Sequence, residues 1–372
     1  MFFQRKKYPH QYDLSIEKNM QNFLKKNNYD LIHIWGTEYP HTLSVANIAH
    51  SLNIKTVISI QGIISDCSKH YNLGIPLIVQ FGITLRDFIK KDNLLCQKYK
   101  FYLRGKWEKQ SIKLSKDIIG RTIYDYSCVM EINKNINYHF CNECLREVFY
   151  EGKWDINCIE RETIFISQAS YPIKGFHYFL DALSIVKKNH PKIKVIVAGG
   201  FFPFKRTLKD KIRLSSYEKY IANKIIKLNL KENIKFIGNL NDEEMKIQLL
   251  KSNVFVSSSV IENSPNSVGE AMLIGTPVIS SFVGGVSNMI DHGISGLLYP
   301  CDQPNILASY ILEILNNDNF AIKLSKHARE KGFEIYDIKK NVDTIKNIYN
   351  TIINTSGDIY ENSKKIIAEN LL

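Results

Sequence analysis

Short continuous apolar runs recur along this chain of 372 residues, each followed by a polar loop and then by a stretch with helical spacing. In the first half they are DLIHIW from Asp30, KTVISI from Lys55, Asp117–Gly120 and Asn137–Phe140. In the second half they are TIFISQ from Thr163, KIKVIVAGG, NIKFIG, Asn253–Ser257, PVISS and GLLYP. Runs without in–out alternation are typical of strands buried on both faces, and such strands belong to parallel sheets. Helices are predicted over residues 11–28, 42–52, 174–188, 207–229, 241–250 and 337–354, with two more in 303–331. Residues 63–116 read as irregular or helical, with one or two helices. The polar stretch 150–162 breaks the rhythm, so the pattern predicts two α/β domains, 1–158 and 159–334. Residues 335–372 then hold a helix and a weakly ordered tail.

The densest chemistry lies in Asn253–Pro277, NVFVSSSVIENSPNSVGEAMLIGTP. A strand ends at Ser257, a polar loop follows, and a helix starts at Asn266 or Ser267, either of which has a side chain able to cap free N–H groups. Gly275 and Pro277 give the stop signal. Glu262 in the loop and Glu270 in the helix frame the turn. A helix N-terminus suits phosphate, whereas carboxylates repel phosphate and accept strongly from hydroxyls. A ligand with both groups, a nucleotide-sugar, satisfies the whole turn. Paired acids also serve glycoside hydrolysis, but the phosphate-suited helix start and Lys174 fit a nucleotide donor better.

Glu262-x7-Glu270 in ENSPNSVGEAM, followed by GTPV and Gly284-Gly285, resembles the donor-site motif of glycosyltransferase family 4. By element order the resemblance covers roughly residues 30–355, with its specific motifs in the C-terminal half. It implies a GT-B fold: two Rossmann-like βαβ domains facing across a cleft, with the last helix packing back toward the first domain. It also implies retaining transfer from a nucleotide-sugar without an obligatory metal. On this resemblance Glu262 contacts the transferred sugar, with Asn263 and Ser264 beside it, and Glu270 holds the ribose. Lys174 of Lys174-Gly175 grips the diphosphate at the helix start that includes Asn266 and Ser267. Gly199 and Gly238 let the nucleotide approach closely.

The chain also departs from that family. Gln168 stands where the family has an arginine, and a neutral amide cannot neutralise charge developing on the leaving group. Gln61 stands where the family has a histidine and cannot act as a base. In the family's usual account the leaving diphosphate takes the acceptor proton, so the resemblance requires no enzyme base. Glu262, Lys174, Gln61 and His41 form the candidate catalytic set, and Glu38, His41 and Arg121 the acceptor side. No glycine precedes Gly36, and a βαβ unit needs about thirty residues. The N-terminal domain is therefore expected to be truncated by at least one unit, with a strand edge exposed. This keeps open a non-catalytic nucleotide-sugar-binding or scaffold protein, and more weakly an epimerase of the same fold.

Net charge, +12, points to anionic partners. No nucleic-acid motif is present, so the favoured partner besides donor and acceptor glycan is an anionic membrane face carrying a lipid-linked acceptor. Seven cysteines without pattern suit a reducing cytoplasm. The expected place is cytoplasmic, peripheral on the inner membrane face, in cell-surface polysaccharide synthesis. Cys141 and Cys144 lack a second pair for zinc, no Asp-x-Asp supports metal-dependent transfer, and no Gly-x-Gly-x-x-Gly follows a strand. No metal and no cofactor beyond the donor are expected.

Overall fold

The computed structural model describes residues 10–200, 202–204, 207 and 212–355. The expected tail beyond residue 355 and part of the basic stretch 207–229 lie outside the described residues. The chain divides into two compact units. One is drawn from Met1–Lys69, Lys98–Cys144 and Asp337–Leu372; the other is drawn from His70–Gln97 and Leu145–Tyr336. Residues 70–97 thus group with the second unit, although they precede the polar stretch at 150–162.

The first unit holds a four-stranded sheet of β1 (Leu31–Trp35), β2 (Lys55–Ser59), β3 (Asp117–Gly120) and β4 (Asn137–Phe140). All pairs are parallel and the order is β1-β2-β3-β4, which leaves β1 at an edge. Neighbouring residues in a strand point to opposite faces, and here both faces are covered. Ile34, Ile58, Ile118 and Tyr138 pack in one cluster with Met20 and Leu24 of helix Leu14–Leu24. Val57 and Ile119 pack in another with Cys141 and with Ile348 and Ile352 of helix Ile338–Asn354. That double covering is why the runs are continuously apolar. Lys55 Nζ donates to the carbonyls of Ile352 (2.9 Å), Ile353 (2.7 Å) and Thr355 (3.1 Å), satisfying the end of that last helix.

Residues 63–116 hold four helices, Ile64–His70, Leu77–Gln80, Leu85–Lys90 and Leu94–Leu114, more than the spacing predicts. Pro76 starts one of them, and Thr84 with Asp87 starts the next through a capping box. These local stops divide what periodicity alone runs together.

The second unit holds β5 (Thr163–Ile166), β6 (Lys194–Ala198), β7 (Ile234–Gly238), β8 (Val254–Ser257), β9 (Val278–Ser281) and β10 (Leu297–Tyr299). They form one parallel sheet in the order β10-β9-β8-β5-β6-β7. The chain builds outward from β5 to β7, then returns with β8 to the other side of β5. Such a reversal opens a crevice at the carboxyl ends of the two central strands, the usual ligand position in a doubly wound sheet. Phe165 and Phe255 of the central strands are buried, as are Phe176, Phe179 and Leu183 of helix Phe176–Asn189. Every residue from Val268 to Ile274 of helix Asn266–Ile274 is buried too. Among the described residues no helix is long and apolar enough to cross a membrane.

Candidate functional site

The crevice at the β5/β8 reversal is a cavity of about 300 Å³. Its walls are the end of β5 with the residues after it (Ile166–Gln168), the end of β8 with the residues after it (Val256–Ser259), the first turns of helix Asn266–Ile274, and the side chains of Arg146, Lys174, Met245 and Glu262. It gathers Gln168, Lys174, Glu262, Asn266, Ser267 and Glu270, six residues spread over a hundred positions of sequence.

Lys174 does not begin a helix. It ends a short 3₁₀ turn, Pro172–Lys174, and helix Phe176–Asn189 starts only after Gly175. Gly175 is left-handed, with φ +63°, and Ser258 lies directly against it. A Cβ at Gly175 would stand 1.8 Å from the Ser258 carbonyl oxygen. Ser258 Oγ donates to the Lys174 carbonyl at 3.0 Å, and Val260 N donates to Ile173 O at 2.8 Å. The lysine turn is therefore clamped onto the loop after β8. Lys174 Nζ donates to Glu262 Oε1, which also accepts from Ser259 Oγ at 2.8 Å. Gly285 N holds the Glu262 carbonyl at 3.1 Å, so the Gly284-Gly285 turn supports this loop from behind.

Helix Asn266–Ile274 has Pro265 at its N-cap and no side-chain cap bond, so neither Asn266 nor Ser267 caps it as expected. Proline has no side-chain acceptor; its carbonyl takes the Val268 N–H at 3.0 Å, and the first turn faces the cavity. Glu270, one turn in, is 4% exposed. Its Oε1 accepts from Arg146 Nε at 3.1 Å and Nη2 at 2.7 Å, while Arg146 Nη1 pairs with Asp242. Burial pushes the Glu270 carboxyl above its ordinary range even though Arg146 opposes the shift. Arg146 is the residue that sequence reading missed; it belongs to no motif and lies 124 positions from its partner.

Four other residues expected on the donor side do not line the cavity. Gly199 and Gly238 bond to each other, Gly199 N donating to Gly238 O at 2.7 Å, and close the ends of β6 and β7. A Cβ on Gly199 would touch Gln168 Cγ at 3.7 Å, so this turn packs against a residue of the cavity wall. Asn263 is buried and Ser264 half-buried in the loop.

The first unit has a cavity of its own, about 440 Å³, at the carboxyl ends of its strands. Gln61 and Arg121 line it; Glu38 and His41 do not. Arg121 is a buried structural cation, not an open one. Its Nη1 pairs with Glu143 at 2.6 Å and its Nη2 donates to Ile60 O at 3.3 Å, fixing the end of β2. The Gln61 amide also donates to Glu143. Glu38 is held above its ordinary carboxylate range by burial, with Glu108 adding to the shift and Arg104 and Arg121 opposing it. His41 is pushed down by burial and stacks on Tyr39 with ring centroids 5.7 Å apart. Among the described residues no group of three His, Cys, Asp or Glu side chains is placed to hold a metal ion.

Residues 152–331 match the family model for the group 1 glycosyl transferases. That span starts just before β5 and ends within helix Asp318–Ile335, so it takes in the whole six-stranded sheet. An uncharacterized glycosyltransferase of Methanocaldococcus jannaschii is 24% identical over 199 residues, 53% of this chain and 47% of that one. The chain thus spans about half the length of this relative. A second uncharacterized glycosyltransferase of the same organism is 25% identical over 324 residues, 86% of this chain and 75% of that one. The crystal structure of Anabaena HepE in complex with UDP-glucose superposes with a TM-score of 0.66 at 17% identity, covering 90% of this chain and 82% of that one. At that identity the likeness speaks for the GT-B fold. The group 1 match and both relatives make the second unit similar to glycosyltransferases, and most of the cavity at the β5/β8 reversal lies inside the matched span.

Proposed function

We propose that the chain is a retaining glycosyltransferase of family 4 kind, moving a hexose from a nucleoside diphosphate-sugar to a glycan or lipid-linked acceptor in surface polysaccharide synthesis. The observation that carries this reading is the convergence of Lys174, Gln168, Glu262, Glu270 and an uncapped helix start on one crevice. The diphosphate takes the Lys174 ammonium, the Gln168 amide and the N–H groups of the first helical turn. The ribose hydroxyls donate to Glu270, whose Oε2 is outside the arginine bonds to Oε1. The sugar hydroxyls donate to Glu262, replacing the lysine that now occupies it.

The bond from the anomeric carbon to the diphosphate breaks while one to the acceptor oxygen forms on the same face. The departing phosphate oxygen takes the acceptor proton, so Gln61 needs only to hold hydroxyls and no side-chain base is required. HepE was solved with UDP-glucose, which makes that donor the first to try. Calorimetric titration with UDP-glucose should show binding to the wild-type chain, and Lys174→Ala and Glu270→Ala should each weaken it by about 10- to 100-fold, the worth of a charge-assisted hydrogen bond. Unchanged affinity in both variants would remove this cavity as the donor site. NMR of the product reports the anomeric configuration, and an inverted product would refute retention.

One observation favours a second reading. Gln168 brings no charge, and both acids of the cavity already hold cations, an arrangement that also suits a nucleotide-sugar binder without transfer. Donor turnover by the full chain would exclude it.

A further inference from the structure

The structure assigns the segment Leu77–Lys91 as a docking surface for an anionic lipid bilayer. Two short helices, Leu77–Gln80 and Leu85–Lys90, carry apolar side chains outward. Ile78, Phe81, Ile83, Leu85, Phe88 and Ile89 are each more than half exposed, Ile78 at 84% and Phe88 at 73%. Large apolar side chains clustered like this on a surface mark an interaction site.

The polar groups of the same segment turn inward, which makes the exposure a built feature. Asp87 is 2% exposed; its Oδ2 accepts from Ser216 N at 2.8 Å, and Ser216 Oγ donates to Gly82 O at 2.9 Å. Arg86 pairs with Asp87 at 2.9 Å and with Asp92 at 3.5 Å. The Gln80 amide donates to Ile75 O at 2.7 Å. The segment is thus riveted to helix Ser216–Lys227 through its polar residues and presents hydrocarbon to the outside.

Charge selects the occupant. The ridge ends in two exposed lysines, Lys90 and Lys91, on a chain of net charge +12. An anionic bilayer offers phosphates at the lysine level and hydrocarbon beneath them, matching both halves of the patch. This inference is independent of the donor-site reading, because its readout involves no nucleotide-sugar.

The test is sedimentation of the full chain with sucrose-loaded vesicles of phosphatidylcholine alone or with phosphatidylglycerol. At least tenfold stronger binding to the phosphatidylglycerol vesicles is expected. The double substitution Phe81→Ser with Phe88→Ser should lower that binding at least tenfold, with melting temperature unchanged, since both rings are already in solvent. Lys90→Glu with Lys91→Glu should abolish the preference for anionic vesicles. Absent binding, equal binding to both vesicle types, or full binding by the Phe variant each overturns the proposal. So does light scattering that shows a wild-type dimer made monomeric by the Phe variant, which would give the surface to a second copy.

Discussion

Replacing Gly175 by alanine isolates the contact that fixes Lys174 in the cavity. Two costs combine. Gly175 has φ +63°, and an L side chain there costs roughly 1–2 kcal/mol. The new Cβ would also lie 1.8 Å from the Ser258 carbonyl oxygen, backbone against backbone. Relieving it requires a shift of more than about 1 Å in a packed turn, and overpacking of this kind costs roughly 1–3 kcal/mol. Gly293 supplies the control: its φ is +77°, yet no atom lies within 4 Å of a Cβ built there. Gly293→Ala therefore carries only the backbone term. For a unit of about 200 residues 1 kcal/mol corresponds to roughly 2–4 °C. Calorimetric melting should show a drop of about 2–6 °C for Gly293→Ala and about 5–15 °C for Gly175→Ala. Titration with UDP-glucose should show at least tenfold weaker binding for Gly175→Ala alone, because the shifted turn carries Lys174 with it. If the two variants melt within 1 °C of each other, or Gly175→Ala binds like wild type, the clamp does not position the lysine.

Three further outcomes follow from buried titratable groups. Arg146→Ala leaves burial to act on Glu270 without opposition. A carboxyl with a raised folded pKa contributes stability at low pH and loses it as pH rises through that value, so chemical denaturation should show a loss of about 1–2 kcal/mol at pH 8 that shrinks toward pH 5; a loss independent of pH contradicts this. Burial lowers His33 to about 4 and His177 to about 3, so the stability of the neutral rings is lost as pH falls below about 6.5, by roughly 1.4 kcal/mol per unit for each ring; His177→Gln, keeping a donor for Leu73 O, should flatten the stability–pH slope between pH 6 and 4 by about that amount. Glu108 is fully buried and accepts from Thr37 Oγ1 (2.8 Å), Ile64 N (2.9 Å) and Ser65 N (2.7 Å); Glu108→Gln sets an amide against those donors and should cost about 2–3 kcal/mol in urea unfolding, whereas a change under 0.5 kcal/mol refutes that bonding pattern.

The strands were legible because burial on both faces leaves a mark that does not depend on partners. TIFI, VFVS and VISS are continuous apolar runs, and all three are central or near-central strands. Order within the sheet is different: nothing in the residues of β8 says that it lies beside β5 and not β7. Helix ends were legible only where the signal is local. Gly275, left-handed at the end of Asn266–Ile274, is such a signal; the late start of helix Phe176–Asn189 is not, because the turn before it is clamped against Ser258, more than eighty residues away. The stretch 63–116 was the least readable, since its apolar residues face outward over 77–89 and so carry no core periodicity.

The cavity itself divides along the same line. Glu262, Glu270 and Lys174 were visible because each sits in a short motif, but their pairings were not. The charged residues that line the crevice are Arg146, Lys174, Glu262 and Glu270, so its walls sum to zero before any ligand enters. The motif alone offers a lone ammonium for phosphate; the folded chain presents an ion pair that the proposed diphosphate would have to open. Opening it is favourable only if the freed carboxylate finds new donors. A diphosphate arriving with a sugar brings both replacements at once, anionic oxygens for Lys174 and hydroxyls for Glu262. A bare diphosphate satisfies the lysine and strands the acid. If the cavity takes a nucleotide-sugar as proposed, a preference for the donor over its leaving group would reside in the Lys174–Glu262 pair, and neither residue alone would encode it.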